Sequence, residues 1–182
     1  MIPCCAYSVY WSYIAESNFL MQVQGVLQYL IGYSYISLSV TYVAGNLLAR
    51  KLMQGGRSSD EILYLGYKLE VLGGILLLLG SILFPRSFFS CISAVSLLTL
   101  GNGFLLPLAT GGAITSVPGL AGSASGFMGA LQIASAAVTT AYIGQFSHHQ
   151  PGRFGIIIFI IVIIGFSIFQ LTCIMTRTTQ GG

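Results

Sequence analysis

The segment from Gly155 to Phe166 contains twelve consecutive residues without one polar side chain. Such a run is apolar on every face, unlike the amphipathic helices that cover soluble domains. Only 6% of the 182 residues are charged, whereas about 25% is usual in soluble domains. The composition therefore excludes a soluble enzyme or a nucleic-acid-binding domain. Continuous apolar runs are typical of membrane-spanning helices, and not of barrel strands, in which polar and apolar residues alternate.

Hydrophobic stretches of this kind recur along the whole chain. Because a bilayer-spanning helix needs about 20 apolar residues, six spans with short loops would use nearly all of it. We therefore predict an all-α polytopic membrane helix bundle that forms a single domain over 1–182. The predicted spans are approximately 2–15, 30–48, 62–84, 88–114, 121–146 and 154–175.

The first of these stretches is unusually short. At about 1.5 Å per residue it reaches roughly 20 Å, less than the ~30 Å hydrocarbon core. It lacks the basic start and the small-residue cleavage site of a signal peptide. We expect a spanning helix whose beginning has been cut away, with Glu16 at its outer end.

The basic residues predict the orientation of the chain. Cytoplasmic loops of membrane proteins carry an excess of Lys and Arg. The side that holds both termini and the loop after the second span has more of them than the other side, so we expect it to face the cytoplasm. That side carries Arg50, Lys51, Arg57, Arg177 and, at a helix entry, Lys68, whereas the opposite side carries Arg86 and Arg153.

Two features point to close helix contacts or to a helix interruption. Gly122 and Gly126 form a small-xxx-small pair, which lets two helices approach closely in lipid. We expect ordinary helix packing there, or a contact that slides during transport. Pro107 removes a backbone hydrogen bond from the fourth span. It marks either a tolerated kink or a binding cavity of the kind found at interrupted transporter helices.

Five polar or aromatic residues are candidates for binding a ligand. Asn102 and Gln132 are neutral polar groups in apolar surroundings, so each must either bond to another helix or line a cavity. Tyr10, Trp11 and Tyr33 lie in the first two spans. They are either interfacial or packing residues, or they stack on a flat hydrophobic or cationic ligand.

Glu70 is the least expected residue, because an unpaired carboxylate inside a membrane is costly. Lys68 lies two residues earlier, on a different face of the helix, and is not an obvious partner. Either the helix starts late and Glu70 reaches the cytoplasmic interface, or Glu70 is a carboxyl group that takes up and releases protons.

Signals for an enzyme or a metal site are weak. The four cysteines show no metal-ligand spacing, and His148 and His149 are too isolated to form a metal site. The chain contains no catalytic motif of the common hydrolase, protease or nucleotide-binding classes. We therefore predict no enzyme activity, no catalytic residues, no metal and no cofactor.

The stretch from Gly101 to Gln132 reads GNGFLLPLATGGAITSVPGLAGSASGFMGALQ, and the GNLLAR element ending at Arg50 leads into a basic turn. Together with Ser17-Asn18-Phe19, these segments resemble the C-terminal half of a major facilitator superfamily transporter, most closely the Bcr/CflA type of drug exporter. That family combines a G-x-G-x-x-x-P tenth helix with an AGSAS-x-x-x-GALQ eleventh helix. Ala49 departs from the loop signature, which has an Asp in this place, so that residue's role cannot be carried over.

The resemblance implies that the six spans correspond to helices seven to twelve. It implies proton-coupled efflux of drugs or other small molecules by alternating access, in a bacterial inner membrane. The lipid bilayer, the substrate and protons would then be the partners, with no nucleic acid. It also moves Glu70, on the equivalent of helix nine, to an interfacial or structural role. The implied substrate-binding residues are Tyr10, Trp11, Tyr33, Asn102 and Gln132.

The first six helices of such a transporter are absent from this sequence, and one half encloses no pathway alone. We expect either a truncated or split reading frame or a chain that works with a separate N-terminal half. A homodimer is less favoured, because the two halves are not interchangeable. The alternative is a non-transporting membrane scaffold or half-subunit.

Overall fold

A computed structural model of the chain describes residues 2–23, 25, 28–85, 87–115, 118–146 and 151–180. The loop histidines His148 and His149, as well as Arg86, lie outside the described residues. The side chains of Asn18, Phe19 and Arg177 lie outside them too.

The described residues fold into six α-helices and one short 3-10 segment, without a strand. This confirms the predicted all-α helix bundle. The 3-10 segment, Pro118–Leu120, precedes the fifth helix. The helices are α1 (Ile2–Val23), α2 (Gln28–Gln54), α3 (Ser59–Leu83), α4 (Phe88–Thr115), α5 (Ala121–Phe146) and α6 (Pro151–Gln180).

Four helices are long and apolar enough to cross a membrane, as judged by their length and composition. Their apolar segments are Ser59–Leu83, Phe88–Thr115, Ala121–Gln145 and Gly152–Cys173, in α3 to α6. Together with the low charge of the chain, they indicate a membrane-embedded protein. α1 and α2 are 22 and 27 residues long but carry more polar side chains, so their predicted spans rest on the sequence.

α1 is longer than the predicted apolar stretch, and Glu16 does not mark its end. The 22-residue helix is roughly 33 Å long at about 1.5 Å per residue. The hydroxyl of Ser17 donates to the carbonyl of Ile14 at 2.8 Å and lies 2.6 Å from the hydroxyl of Tyr35 in α2. Glu16 and Ser17 are both buried. Polar residues that looked like a helix end are therefore part of the packed interior.

The turn between α2 and α3 forms where the basic loop was predicted. Gly56 has a φ of 85°, a left-handed conformation that glycine adopts without a steric cost. Ser58 caps α3, since its side chain accepts a hydrogen bond from the Glu61 N–H at 3.3 Å. Asp60 and Glu61 lie in the first turn, where acidic side chains interact favourably with the helix dipole.

Glycines allow α3 and α4 to pack closely together. A Cβ atom on Gly101 would lie 2.8 Å from Cγ of Glu70 and 2.8 Å from the carbonyl oxygen of Gly66. On α3, a Cβ on Gly66 would lie 2.9 Å from Cβ of Phe104, and one on Gly73 would lie 2.9 Å from the backbone nitrogen of Leu98. Side chains larger than hydrogen at these positions would force the two helices apart.

α2 packs against another side of α4 in the same way. Gly45 and Gly103 face each other, because a Cβ on Gly103 would lie 2.9 Å from Cα of Gly45. Nearer the start of α4, the hydroxyls of Thr41 and Thr99 are 2.7 Å apart, and those of Ser37 and Ser96 are 3.0 Å apart. α4 is therefore held between α2 and α3.

α5 packs chiefly against α1 and leaves its small-residue face open. A Cβ atom placed on Gly122 or Gly126 would meet nothing within 4 Å. The predicted packing of this pair against another helix is therefore not found in the described part of the chain. The small-residue face is available for a contact outside it.

Pro107 does not interrupt α4, which continues to Thr115. The helix beyond the proline is loosely surrounded, since an added Cβ on Gly111 or Gly112 would meet nothing within 4 Å. A cavity of about 1100 Å³ opens beside it and is lined by Pro107, Met128 and Phe169 among others. The structure thus combines a continuous helix with a cavity, so the two alternatives for Pro107 do not exclude each other.

Candidate functional site

Asn102 lies at the centre of α4, between the two glycines that contact neighbouring helices. Successive residues of an α-helix point about 100° apart. Gly101 faces α3 and Gly103 faces α2, so the side chain between them points elsewhere, towards α1. Asn102 is 0% exposed, and in the described part of the chain neither its amide oxygen nor its amide nitrogen has a hydrogen-bond partner.

The Asn102 side chain lines a cavity of about 10 Å³ together with Tyr10 and Tyr13 of α1 and Thr99 of α4. This is roughly the smallest space that holds one water molecule. An unpaired buried amide costs about 1–3 kcal/mol, and a polar ligand atom or a water molecule in the cavity would remove that cost. Apolar side chains such as Val9, Leu98 and Phe154 form most of the remaining lining, so the space beside the amide takes a group no larger than about one water molecule.

Tyr10 lies between this cavity and an aromatic cluster. Its ring is 6.1 Å from the ring of Trp11, edge on, and 6.4 Å from the ring of Tyr42 on α2. The Tyr7 ring is in turn 5.8 Å from that of Trp11. Aromatic pairs at these distances stabilise one another by about 0.5–1.5 kcal/mol. α1 thus presents a row of connected rings.

Trp11 lies on the open side of the row and is 42% exposed. With Tyr7 it forms one wall of a groove of about 610 Å³ between α1 and α5. The α5 side of the groove is built from small or apolar residues such as Ala137, Thr140 and Ala141. None of the described residues that line the groove is charged, so it suits a flat apolar group stacked on the indole ring.

Gln132 connects α5 to α4. Its amide nitrogen donates to the hydroxyl of Thr110 at 3.3 Å. One turn later, the hydroxyl of Ser135 is 3.3 Å from the carbonyl oxygen of Cys4 in α1. Of the two roles considered for Gln132, the structure shows the interhelical bond, and it does not place Gln132 on the small cavity with Asn102.

Tyr33 is separate from the other four candidates. It is 64% exposed, and its ring packs edge on against Tyr29 at 6.5 Å. The five predicted residues therefore divide into four places. Tyr10 and Asn102 share the small cavity, Trp11 lines the groove between α1 and α5, Gln132 joins α5 to α4, and Tyr33 lies on the exposed surface of α2.

The hydroxyl pairs between α2 and α4 are polar contacts that sequence analysis missed. Thr41 and Thr99 join the two helices next to the small cavity, which Thr99 also lines. The sequence does contain a signal for these contacts. Ser37 and Thr41 are four residues apart on α2, and Ser96 and Thr99 are three apart on α4, so the two residues on each helix lie on the same face.

Glu70 was expected either at the cytoplasmic interface or as a proton-exchanging carboxyl. The structure shows Glu70 buried between helices and not on the helix surface, because it is 1% exposed and lies against Gly101 of α4. α3 starts at Ser59, so Glu70 is three turns into the helix. Lys68 is exposed and lies over the ring of Tyr64 at 4.5 Å, which confirms that it is not a partner for Glu70.

Comparison with known protein families, with curated proteins and with solved structures finds no match for this chain. The resemblance to the major facilitator superfamily therefore rests on the quoted motifs and on the order of the spans.

Proposed function

We propose that this chain is a half-transporter that exports drugs or other small hydrophobic molecules, and that a separate N-terminal half completes it. The observation that carries the proposal is the open face of α5. In the most apolar segment of α5 only 11% of the residues are buried, whereas 50% are buried in the corresponding segment of α4. Gly122 and Gly126 on α5 meet nothing within the described chain, and a small-residue face of this kind supports close approach of another helix.

The mechanism follows from this arrangement. Transport by two packed halves proceeds by rocking of one half against the other around a site near the membrane midplane. Tyr10 would offer a polar contact on this half, with the buried Asn102 behind it on the small cavity, and Trp11 would stack on a flat substrate. Gln132 would hold α5 against α4, and Tyr33 would lie at the edge of the pathway. We include proton coupling in the same proposal: proton movement across the membrane would supply the free energy for substrate export.

The proposed location is a bacterial inner membrane with both termini in the cytoplasm. The exposed residues Arg50, Lys51 and Arg57 support this orientation, since positive residues are retained on the cytoplasmic side. Arg50 and Lys51 lie at the end of α2 and Arg57 in the short turn that follows it, so all three are close to a short loop, for which the rule holds best.

The test is dye or drug efflux from cells that express the chain together with the N-terminal half of a related exporter. We expect Tyr10→Ala, Trp11→Ala and Asn102→Ala to reduce efflux at least tenfold at equal protein levels. Gln145→Ala is the control, because this residue is on the exposed surface and is none of the five candidate residues, and it should retain efflux.

Two outcomes would overturn the proposal. One is the absence of efflux in every combination although the chain is present in the membrane. The other is equal efflux by the control and the site variants. Both outcomes would favour a membrane scaffold, whose function would depend on α5 contacts and not on Tyr10, Trp11 or Asn102.

A further inference from the structure

Glu70 has no role in the proposed substrate site, yet it is the most deeply buried acidic residue that the structure describes. It is 1% exposed, against 5% for Glu16, and Asp60 and Glu61 are exposed. Its Oε1 atom is buried and has no hydrogen-bond partner among the described residues. We propose that Glu70, with Tyr67 and Cys5 beside it, is a proton-binding site inside the helix bundle.

The packing of α4 removes water from Glu70. Because Gly101 has no side chain, the α4 backbone lies directly on the Glu70 side chain. A Cβ at Gly101 would be 2.8 Å from Cγ of Glu70 and 3.1 Å from its backbone nitrogen. The ionised form of a carboxyl group in such a place loses hydration, and at Oε1 no hydrogen bond from the described residues replaces it, which costs several kcal/mol. The neutral, protonated form avoids most of this cost.

Two further ionisable side chains accompany Glu70. Tyr67 precedes it by three residues, so the two lie on the same face of α3. Tyr67 is 0% exposed, and its hydroxyl has no hydrogen-bond partner. Cys5 comes from α1. An added Cβ on Gly165 of α6 would lie 3.0 Å from Cβ of Cys5 and 3.6 Å from the Tyr67 hydroxyl, so these two residues meet at that glycine.

No positive charge in the described chain balances Glu70. Lys68, the nearest basic residue along α3, points to Tyr64 and the exposed surface. At their contacts with this cluster, α4 presents Gly101 and α6 presents Gly165, and neither residue can carry a charge. The ionisable groups around Glu70 in the described chain are therefore Tyr67 on its own helix, Cys5 on α1 and, packed against the same apolar cluster as Tyr67, Cys173 on α6, and all three are neutral acids in their ordinary form.

A proton fits this site better than a metal cation. Sodium and calcium ions are held by several oxygen atoms around one centre. Among the described residues, the cluster of Glu70, Tyr67 and Cys5 offers one carboxyl and one phenol as side-chain oxygens, fewer than such a cation needs. A single proton on the carboxyl needs neither additional ligands nor extra volume.

The test is infrared spectroscopy of the complete chain reconstituted in liposomes at neutral pH. A protonated carboxylic acid has a C=O stretching band that an ionised carboxylate lacks, and this band shifts in heavy water. The chain contains only four Asp and Glu residues, so the band can be assigned. We expect it in the wild-type protein and in Glu61→Gln, and we expect its loss in Glu70→Gln.

A complementary variant covers the case in which Glu70→Gln does not fold. The triple variant Glu16→Gln, Asp60→Asn, Glu61→Gln leaves Glu70 as the only acidic side chain, and it should keep the band. The inference is overturned if the triple variant lacks the band, or if the wild-type band disappears in Glu16→Gln. These measurements read protonation in the resting protein and do not depend on the proposed transport activity.

Discussion

Replacing Gly101 by alanine places a methyl group on the contact between α3 and α4. The new Cβ would lie 2.8 Å from Cγ of Glu70 and 2.8 Å from the carbonyl oxygen of Gly66. The first neighbour belongs to a buried side chain and the second to the backbone of a packed helix, so neither moves freely. Inserting one methyl group into a well-packed interior costs about 1–3 kcal/mol.

Gly112→Ala is the matched control on the same helix. Nothing lies within 4 Å of an added Cβ there, so no steric cost arises. Alanine is favoured over glycine in a helix interior by roughly 0.5–1 kcal/mol. The two substitutions therefore make the same chemical change, and we expect opposite signs for their effects on the free energy of unfolding.

The assay is reversible unfolding in mixed micelles with increasing denaturing detergent, followed by helical circular dichroism and by fluorescence of Trp11, the only tryptophan. We expect Gly101→Ala to lower the free energy of unfolding by about 1–3 kcal/mol and Gly112→Ala to leave it equal or higher. Equal stability of the two variants would refute the close α3–α4 packing and, with it, the dry surroundings of Glu70.

Two other perturbations test different parts of the structure. Asn102→Leu removes a buried amide without partners, so we expect unchanged or higher stability, by up to about 1–3 kcal/mol, together with loss of efflux. A clear fall in stability would instead show that the amide is hydrogen-bonded, for example to a water in the small cavity. In a variant without the native cysteines, we expect a membrane-impermeant maleimide to label Phe84→Cys in intact cells but Arg57→Cys only after permeabilisation. The reverse labelling would contradict the predicted orientation.

The helices could be predicted from the sequence because long apolar runs determine them locally. The end of the first helix could not be predicted in this way. Glu16 and Ser17 looked like an exposed boundary, but the hydroxyl of Tyr35, eighteen residues further on, pairs with Ser17. Such a partner comes from tertiary packing, which a polar residue in a single sequence does not reveal.

The burial of Glu70 between α3 and α4 could not be predicted from the sequence either. Its burial depends on the absence of a side chain at Gly101 on another helix, and on the register that brings these two residues together. Spacing along one helix gives the face on which a residue lies, but not where along its length a neighbour covers that face. The same limit applies to Tyr33, which is on α2 as predicted yet is exposed in its second turn.

The packing of α1 has a consequence for how the protein is made. α1 contacts α4, α5 and α6 extensively and its sequence neighbour α2 only slightly. At about 5–20 residues per second, the ribosome needs roughly 3–13 s to progress from the end of α1 to the start of α4. During that interval α1, with buried Ser8, Ser12 and Glu16, has none of its main partners. Its polar side chains then have to be shielded by the insertion machinery until the later helices arrive, so we expect biogenesis to depend on how long that machinery retains the first helix.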